Sequence, residues 1–408
     1  MRFARILAAL SLLCALLASN EIASTSRTPL PTPPLVLVSL DGFRADYLTR
    51  APAVRLRQLA AAGVSAERLI PPFPSKTYPS HYTIVTGLWP EHHGIVSNTM
   101  FDPSLGRFTV SDTGAVRDAR WWGGEPLWVT TIRQGRKAMT MNWPGSEAAI
   151  RGIRPTEWRR FDVLPPNDQR LSDVLGWLGR PAGEAPAFVT FYLGAADTAG
   201  HRYGPDAPET DSAIARTDRI VGRLVDGLRD HGLTQVNLII LADHGMAAID
   251  PSRTIYLDDH IDLAATDVVE LNPIAALRPR AGRDSAVYAG LARAPHLAAY
   301  RRADIPARYH YRENARIAPI IAVAEEGWTI STRATSRAHP LTDRGNHGFD
   351  PELRSMGGVF IAVGPAFARG RTVPPVHSVH LYALMAHLLG LTPAPNDGSV
   401  DSVRGLLR

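Results

Sequence analysis

Six acidic and imidazole side chains lie where apolar stretches of the chain end, or just before the last of those stretches begins. They are Asp41, Asp197, His201, Asp243, His244 and His347. Three carboxylates and three imidazoles without a thiol fit Zn²⁺, with Mn²⁺ or iron as alternatives. Divided between two sites, they would give each metal three protein ligands and an open position, as in catalytic zinc sites. Two metals about 4 Å apart can clamp the attacking and leaving oxygens of a phosphoryl displacement.

Each of these residues has an ordinary explanation when it is taken alone. An aspartate that ends a strand is often a helix cap or a turn residue. The four-residue spacing of Asp197 and His201 is common by chance, and most of the 14 histidines are expected to be structural or exposed. The hypothesis of a metal centre therefore depends on all six residues occurring together near strand ends.

Thr77 lies between Lys76 and Tyr78 in the stretch FPSKTYPS, which prolines interrupt. A threonine hydroxyl is barely acidic, so it attacks nothing at neutral pH unless another group helps to remove its proton. Taken alone, Thr77 is more typical of a helix cap; beside a metal centre it becomes a candidate nucleophile. Lys76 is one of only two lysines. It either steers anions or is simply exposed, and we leave it outside the catalytic set.

Apolar runs that alternate with helical patterns predict the elements that position these residues. The predicted strands are Leu35–Leu40, 137–143, 187–194, 236–245 and 357–365, and the predicted helices are Val54–Ala62, Leu171–Leu178, Ser212–Leu228 and Leu381–Leu389. This alternation predicts an α/β fold with a mostly parallel central sheet flanked by helices on both faces. Ligands bind beyond the carboxyl ends of strands in such sheets, so the metal-type residues are expected to meet there.

Residues from about 250 to 345 are less regular than the rest of the chain. We predict a smaller inserted subdomain there, with strands near 268–277 and 317–331. The sequence does not indicate what this insert does.

The first residues, MRFARILAALSLLCALLASN, predict a secretory signal peptide, because two arginines precede a short apolar run and small residues follow it. We predict a signal peptide over 1–23, a Pro-rich linker over 24–34, and a secreted or periplasmic mature chain without a stable membrane span. An uncleaved membrane anchor is the alternative, although the apolar run is short for a span. Cys14 is the only cysteine, so the mature chain would have no disulfide and no thiol ligand.

The composition is that of a globular protein, with 45% hydrophobic and 20% charged residues among 408. A formal net charge of +5 helps to attract anionic substrates but is weak support for nucleic-acid binding. The basic residues are spread along the chain without a run beside aromatic residues. We therefore predict no nucleic-acid-binding module, and the sequence leaves the oligomeric state open.

The chain resembles the nucleotide pyrophosphatase/phosphodiesterase family of the alkaline phosphatase superfamily in five segments. They are LVSLDGFRADYL, FPSKTYPSHYTIVTGLWPEHHGIVSN, DTAGHRYGP, LADHGM and GNHGFD. The resemblance implies an alkaline-phosphatase-like fold, a phosphodiesterase catalytic domain over 35–408 and two zinc ions per chain. One zinc would be bound by Asp41, Thr77, Asp243 and His244, and the other by Asp197, His201 and His347.

The resemblance also implies an activity and a substrate. Thr77 would be the nucleophile and Asn98 would hold a phosphoryl oxygen, so that nucleotide phosphodiester and pyrophosphate bonds are hydrolysed through a phosphothreonine intermediate to release a nucleoside 5′-monophosphate. Tyr78 and Phe161 match the two aromatic positions that sandwich the base. The alternatives are a choline-lipid (lysophospholipid) phosphodiesterase of the same family and a non-catalytic secreted zinc-binding protein.

Overall fold

The computed structural model describes residues 32–161 and 166–408. The predicted signal peptide and the predicted linker up to residue 31 lie outside these residues. Pro33–Arg408 form one compact unit. Within the part of the chain that is described, no helix has both the length and the apolar content needed to cross a bilayer.

Twelve strands build the two largest sheets. They are β1 (Leu35–Leu40), β2 (Val64–Ala66), β3 (Ala138–Met141), β4 (Glu157–Arg159), β5 (Phe188–Leu193), β6 (Asn237–Leu241), β7 (Thr266–Glu270), β8 (Ile274–Pro279), β9 (Leu297–Arg301), β10 (Ile320–Ala324), β11 (Phe360–Val363) and β12 (Arg371–Val373). Short strands pair elsewhere: Leu69–Ile70 with Val376–His377, Thr99–Asp102 with Gly106–Thr109, Ala247–Ala248 with Gly345–Asn346, and Thr254–Tyr256 with Thr329–Ser331.

The central sheet has eight strands in the order β12-β2-β11-β6-β1-β5-β3-β4. All neighbours are parallel except β11, which runs antiparallel to both β2 and β6. Strand β1 lies between β5 and β6, and all six of its residues are buried. This confirms the prediction of a mostly parallel sheet, and it brings the carboxyl ends of β1, β5 and β6 side by side.

Among the described residues, eleven α-helices surround the sheets. They are α1 (Val54–Ala62), α2 (Thr77–Thr86), α3 (Pro90–His93), α4 (Thr113–Arg117), α5 (Leu127–Arg133), α6 (Asn167–Leu178), α7 (Ala195–Tyr203), α8 (Pro208–Asp230), α9 (Asp284–Leu291), α10 (Arg333–Ala338) and α11 (Leu381–Leu388). Helix α8 begins four residues before the predicted start, because Pro208 occupies its first turn together with acidic residues, which favour a helix N-terminus but carry no apolar pattern.

Alternate residues of β1 belong to two hydrophobic clusters on opposite faces of the central sheet. Leu35 and Leu37 pack with residues of α2, α5 and α11. Val36 and Val38 pack with residues of α1, α6 and α8. A strand that is buried on both faces has no polar side to show, which explains the continuous apolar run in the sequence.

The insert contains a four-stranded antiparallel sheet in the order β7-β8-β10-β9, which we call the insert sheet. The single strand expected near 268–277 is two strands, β7 and β8, which a turn containing Asn272 at φ +65° connects. The strand expected near 317–331 is likewise split, and β9 had no predicted counterpart. A third hydrophobic cluster lies under this sheet. The boundaries 250–345 remain a prediction.

Arg316 of the insert is tied to the rest of the protein by a largely buried ion pair. Its Nε donates to Asp102 Oδ2 at 2.8 Å, and its Nη1 donates to the carbonyls of Gly94 and Trp121. Burial alone would raise the pKa of Asp102, but donation from Arg316 and Ser104 holds that pKa well below its ordinary value.

We expect Asp102→Asn to lower the free energy of unfolding at pH 7 by about 1–3 kcal/mol, because it leaves the Arg316 guanidinium without its counter-charge. A depressed carboxylate pKa stabilises the fold above the unfolded value of about 4 and loses this contribution as the pH falls below it. Urea unfolding of both proteins from pH 7 down to about 3 should therefore show the difference shrinking in acid. A constant difference would contradict the ion-pair explanation.

Candidate metal centre and active site

The predicted metal ligands meet at the carboxyl ends of three adjacent strands of the central sheet. Asp41 directly follows β1, Asp197 lies in the first turn of α7 after β5, and Asp243 with His244 follows β6. The backbone amide of Asp197 donates to the Asp41 carbonyl at 3.0 Å. His347 arrives from a loop that follows the short pair of Ala247–Ala248 with Gly345–Asn346.

Glycine is required directly after Asp41, where the chain turns away from β1. Gly42 has φ +64°, and a Cβ atom there would lie 2.8 Å from the Asp197 Cα. Any side chain would therefore push the β1 and α7 segments apart. The close approach lets two carboxylates from separate strands share one small volume.

The three candidate histidine ligands all use the same ring nitrogen to hold themselves in place. Their Nδ1 atoms lie 2.9–3.0 Å from backbone carbonyl oxygens: His201 from Gly345, His244 from Gly245, and His347 from Ser75. A nitrogen that faces a carbonyl oxygen carries the proton, so Nε2 of the neutral ring has a lone pair. Metal-binding histidines are commonly oriented in this way.

One group of candidate ligands surrounds His244. Its Nε2 lies 3.1 Å from Asp243 Oδ2, 3.4 Å from Asp41 Oδ1 and 3.3 Å from Thr77 Oγ1. The imidazole of His244 and the carboxylates of Asp41 and Asp243 are almost completely buried. These are the four residues that the sequence resemblance assigns to one zinc.

A second group surrounds Asp197. Its Oδ1 lies 3.4 Å from His201 Nε2 and 3.6 Å from His347 Nε2, and the three residues offer ligand atoms within 4.8 Å of one another. Asp197 is also within this distance of ligand atoms of Asp41 and His244. The two groups are therefore contiguous, and the division of ligands between two metals remains a prediction.

Three carboxylate oxygens in these groups support the presence of a cation. Asp41 Oδ1, Asp197 Oδ1 and Asp243 Oδ2 are buried and accept no hydrogen bond from the described residues. Each faces an imidazole Nε2, whose lone pair repels it when the ring is neutral. A buried carboxylate oxygen that accepts no hydrogen bond is costly, and a cation between these oxygens and the imidazole nitrogens would remove both that cost and the repulsion. The residues therefore fit a divalent metal.

The pKa values of the cluster also show that burial and crowding disfavour charged side chains here. Burial raises the pKa of Asp41 well above its ordinary value, and the charges of Asp243 and Asp197 raise it further. Burial lowers the pKa of His347 well below its ordinary value, and the neighbouring imidazoles His244 and His201 lower it further. A bound dication favours the charged carboxylate and the neutral imidazole, so metal binding is expected to weaken in acid.

Thr77 is the first residue of α2, and its hydroxyl lies within the first ligand group. Asn98 lies beside it, because Asn98 Oδ1 accepts a hydrogen bond from the Tyr78 backbone amide at 3.0 Å. This bond orients the side-chain amide, and its Nδ2 donates to no residue in 32–161 or 166–408. The candidate nucleophile and the candidate amide donor thus lie together at a helix N-terminus.

Tyr78 and Phe161 touch each other directly. Their ring centroids are 5.8 Å apart and the rings are at 82°, an edge-to-face contact. A base held between two parallel rings needs about 3.5 Å on each side, or about 7 Å in all. The two aromatic residues predicted to bind the base are therefore adjacent but do not form an open slot.

Three buried residues that the sequence reasoning missed support the site. His81 Nε2 is 2.8 Å from Ser39 Oγ, and its Nδ1 is 2.8 Å from the Thr77 carbonyl and 3.2 Å from Asp243 Oδ2. The Tyr192 hydroxyl donates to Asp41 Oδ2 at 2.6 Å. The four-residue spacing from Thr77 to His81 was a signal that could have found the histidine, since such pairs share one face of a helix.

The structure answers the question that the sequence left open about Lys76. Lys76 is neither exposed nor directed at solvent anions, because its Nζ donates to Glu270 Oε1 at 2.7 Å and both side chains are 7% exposed. Nearby, Trp143 is completely buried and packs against His81.

A sequence profile described as type I phosphodiesterase / nucleotide pyrophosphatase matches residues 35–350. The chain belongs to this family. It is 35% identical over 410 residues to a bis(5′-adenosyl)-triphosphatase of Xenopus laevis, a match that covers 99% of the chain and 87% of that protein. It is 36% identical to a venom phosphodiesterase of Crotalus durissus collilineatus, with 95% of the chain and 48% of the venom protein covered. Human family member 1 is also 36% identical, with 92% and 42% covered. The chain thus spans about half the length of these last two relatives.

Solved structures of the family share the fold. Human ectonucleotide pyrophosphatase/phosphodiesterase 5 superposes with a TM-score of 0.88 and 36% identity, covering 92% of the chain and 100% of that structure. The murine protein, in an inactive threonine-to-alanine variant bound to AMP, superposes with a TM-score of 0.87 at the same identity and coverage. The alkaline-phosphatase-like fold and the family predicted from sequence are confirmed.

We expect a divalent metal to stabilise this family member, because it would bind the folded ligand cluster and not the unfolded chain. Adding Zn²⁺ to chelator-stripped protein should raise the melting temperature by several degrees in a thermal scan. His201→Ala should reduce this rise, whereas His296→Ala, at an exposed histidine outside the cluster, should leave it intact. The absence of any rise with Zn²⁺ or Mn²⁺ would show that the cluster is not a metal centre.

Proposed function

We propose that the chain is a zinc-dependent phosphodiesterase and pyrophosphatase that cleaves nucleotide phosphodiester and pyrophosphate bonds and releases a nucleoside 5′-monophosphate. The N-terminal sequence pattern, outside the described residues, supports action in a secreted or periplasmic setting. The observation that carries the proposal is the position of the Thr77 hydroxyl, 3.3 Å from His244 Nε2 inside the buried ligand cluster.

Two zinc ions are assigned to the two ligand groups. Asp41, Thr77, Asp243 and His244 would hold one, and Asp197, His201 and His347 the other. When bound, the zinc ions would lower the pKa of the threonine hydroxyl and neutralise negative charge on the reacting phosphoryl group. Tyr192 orients Asp41 through its hydroxyl, and His81, which contacts Ser39, lies against Asp243 and the Thr77 carbonyl.

The chain's own residues then perform a double displacement. The Thr77 hydroxyl loses its proton to solvent, and Thr77 Oγ forms a bond to phosphorus as the bond from phosphorus to the leaving oxygen breaks. The leaving group departs, and a phosphothreonine diester remains. Water attacks the same phosphorus, the bond to Thr77 Oγ breaks, and the nucleoside 5′-monophosphate departs as the hydroxyl regains its proton. The Asn98 amide and the N-terminus of α2 donate to the phosphoryl oxygens as their charge grows.

The names of the relatives support a nucleotide substrate. The frog relative is a bis(5′-adenosyl)-triphosphatase, and the murine structure was obtained with AMP. That structure is of a variant described as inactive, in which a threonine is replaced by alanine. Both descriptions agree with a nucleophilic threonine and a nucleoside 5′-monophosphate product.

We expect Thr77→Ala to reduce kcat/KM by about 10³-fold or more, since it removes the nucleophile. The assay would use purified zinc-loaded protein with diadenosine triphosphate, ATP and the p-nitrophenyl ester of thymidine 5′-monophosphate, and Thr77→Ser should keep part of the activity. Metal analysis should find two zinc ions in the wild-type protein.

Other substrates in the same assay decide between the alternatives. Faster hydrolysis of lysophosphatidylcholine than of the nucleotides would indicate the choline-lipid phosphodiesterase. Faster hydrolysis of p-nitrophenyl phosphate would contradict diester specificity. A wild-type protein that binds zinc but hydrolyses none of these compounds would instead be the non-catalytic binding protein.

A Phe161 variant tests whether this ring binds the base of the substrate. Stacking on an aromatic ring contributes about 1–3 kcal/mol per base, so Phe161→Ala should raise KM for the thymidine ester by about 5-fold or more. The matched control substrate is methyl p-nitrophenyl phosphate, which has no base and should be hydrolysed equally by both proteins. An equal loss on both substrates would mean that Phe161 supports the site rather than the base.

A further inference from the structure

Glu270, the last residue of β7 in the insert sheet, reaches both segments that carry the reacting groups. Its Oε1 accepts from Lys76 Nζ at 2.7 Å, and its Oε2 accepts from Ser97 Oγ at 2.5 Å. Glu270, Lys76 and Ser97 are all buried. One carboxylate therefore joins two chain segments to each other through its two oxygens.

The two partners of Glu270 directly precede the two residues assigned to phosphoryl transfer. Lys76 precedes Thr77, and Ser97 precedes Asn98. The Tyr78 backbone amide also donates directly to Asn98 Oδ1, and Thr83 Oγ1 of α2 lies 3.0 Å from His93 Nε2. Glu270 therefore ties the residue before the candidate nucleophile to the residue before the candidate amide donor.

An irregularity in the insert sheet aims the Glu270 side chain. The pairing of β7 with β8 shifts register between Val268 and Glu270, so that Val269 and Glu270 are both buried although they are consecutive. Bulges of this kind redirect a side chain and are frequent beside active sites. Arg107, in the hairpin that follows Asn98, donates to the Val269 carbonyl at 2.7 Å and holds the bulge against that hairpin.

Lys76 extends the same connection to the candidate metal centre. Its Nζ also donates to the Asn272 carbonyl at 3.3 Å. Its side chain packs so closely on Gly348 that a Cβ atom there would lie 3.0 Å from Lys76 Cε, and Gly348 has φ +107°. Gly348 follows the candidate ligand His347, so the ion pair contacts the backbone beside the metal site as well.

We propose that Glu270 is a positioning residue for phosphoryl transfer, and that the insert sheet serves the reaction by supplying it. This inference rests on the proposed function, because it assigns Glu270 an effect on Thr77 and Asn98. Displacing a reacting group by about 1 Å can reduce the rate on the order of 100-fold. Because Glu270 binds the residues that directly precede both groups, loss of its hydrogen bonds is expected to displace them and slow the reaction.

The test compares Glu270→Gln with the wild-type protein at 25 °C, using the p-nitrophenyl ester of thymidine 5′-monophosphate and zinc-loaded protein. The substitution keeps the shape of the side chain but removes the charge that holds Lys76. We expect kcat to fall on the order of 10- to 100-fold, with KM within about 3-fold of wild type, as expected when an interaction that matters in the transition state is lost. Zinc content should not change.

Asp102→Asn is the matched control, because it also breaks a largely buried ion pair between the insert and the rest of the protein. It should lower the melting temperature while kcat stays near wild type. If Glu270→Gln behaves like this control, losing stability but not kcat, Glu270 only stabilises the fold and the inference is overturned.

Two further variants cover the case in which Glu270→Gln does not fold. Ser97→Ala leaves the ion pair in place and removes one arm, so it should fold and lower kcat by about 3- to 10-fold, a fraction of the effect of displacing the whole pair. The double variant Lys76→Met/Glu270→Gln has no unpaired buried charge, so its melting temperature should recover above that of the single variant. Its kcat should stay low; recovery of kcat together with stability would overturn the inference.

The same assays distinguish this inference from the proposed function. A wild-type protein without activity on any diester overturns the proposed function itself. An active wild type, an inactive Thr77→Ala and an unchanged kcat in both Glu270→Gln and Ser97→Ala would overturn only the role of Glu270.

Discussion

The constraint on which the rest of the structure depends is the crowding of three carboxylates and three imidazoles into one buried volume. Without a cation, the carboxylate oxygens face lone pairs of neutral rings or the rings must become charged, and burial opposes either arrangement. The fold meets this constraint with hydrogen bonds to those atoms of the histidines and of Asp41 that do not face the centre of the cluster. The histidines donate from Nδ1 to carbonyls, and Tyr192 donates to Asp41, so the opposite atoms are left to converge.

The parallel sheet makes this convergence structurally simple. Because β1 pairs with β5 on one side and β6 on the other, residues after all three strands emerge at one edge without long connections. Both faces of these strands are covered by helices, so the edge is anchored in well-packed apolar clusters. Close packing resists small displacements, which is the property a site with distances near 3 Å needs.

The candidate nucleophile Thr77 and the candidate amide donor Asn98 come from a different part of the fold than the aspartate and histidine ligand candidates. Thr77 and Asn98 lie on α2 and on the segment after α3. His81 of α2 connects this part to the sheet edge, where it contacts Ser39 and Asp243. The Ser75 carbonyl accepts from His347 and the Ser75 hydroxyl donates to the Phe349 carbonyl, so the nucleophile segment and the last ligand loop form one connected layer. The insert sheet closes that layer from outside through Glu270.

Local sequence determined five of the eight strands of the central sheet (β1, β3, β5, β6 and β11), the helices α1, α6, α8 and α11, and the metal-type residues at the strand ends. These follow from apolar periodicity and from residue type within short windows, and five motifs in order identified the family. The predicted boundaries were wrong where a polar first turn extends a helix, as in α8. They were also wrong where a turn divides one apolar stretch into two strands, as between β7 and β8.

Only the tertiary structure decided which distant residues support the site. Glu270 is 194 residues from Lys76 and 173 from Ser97, and Tyr192 is 151 from Asp41. No local pattern marks such partners, because their contact depends on how the insert sheet and the strands pack together. The same holds for Tyr78 and Phe161, whose types suggested a slot while packing put the rings edge to face. Residue types set the chemistry of the centre, and packing set which side chains hold it in place.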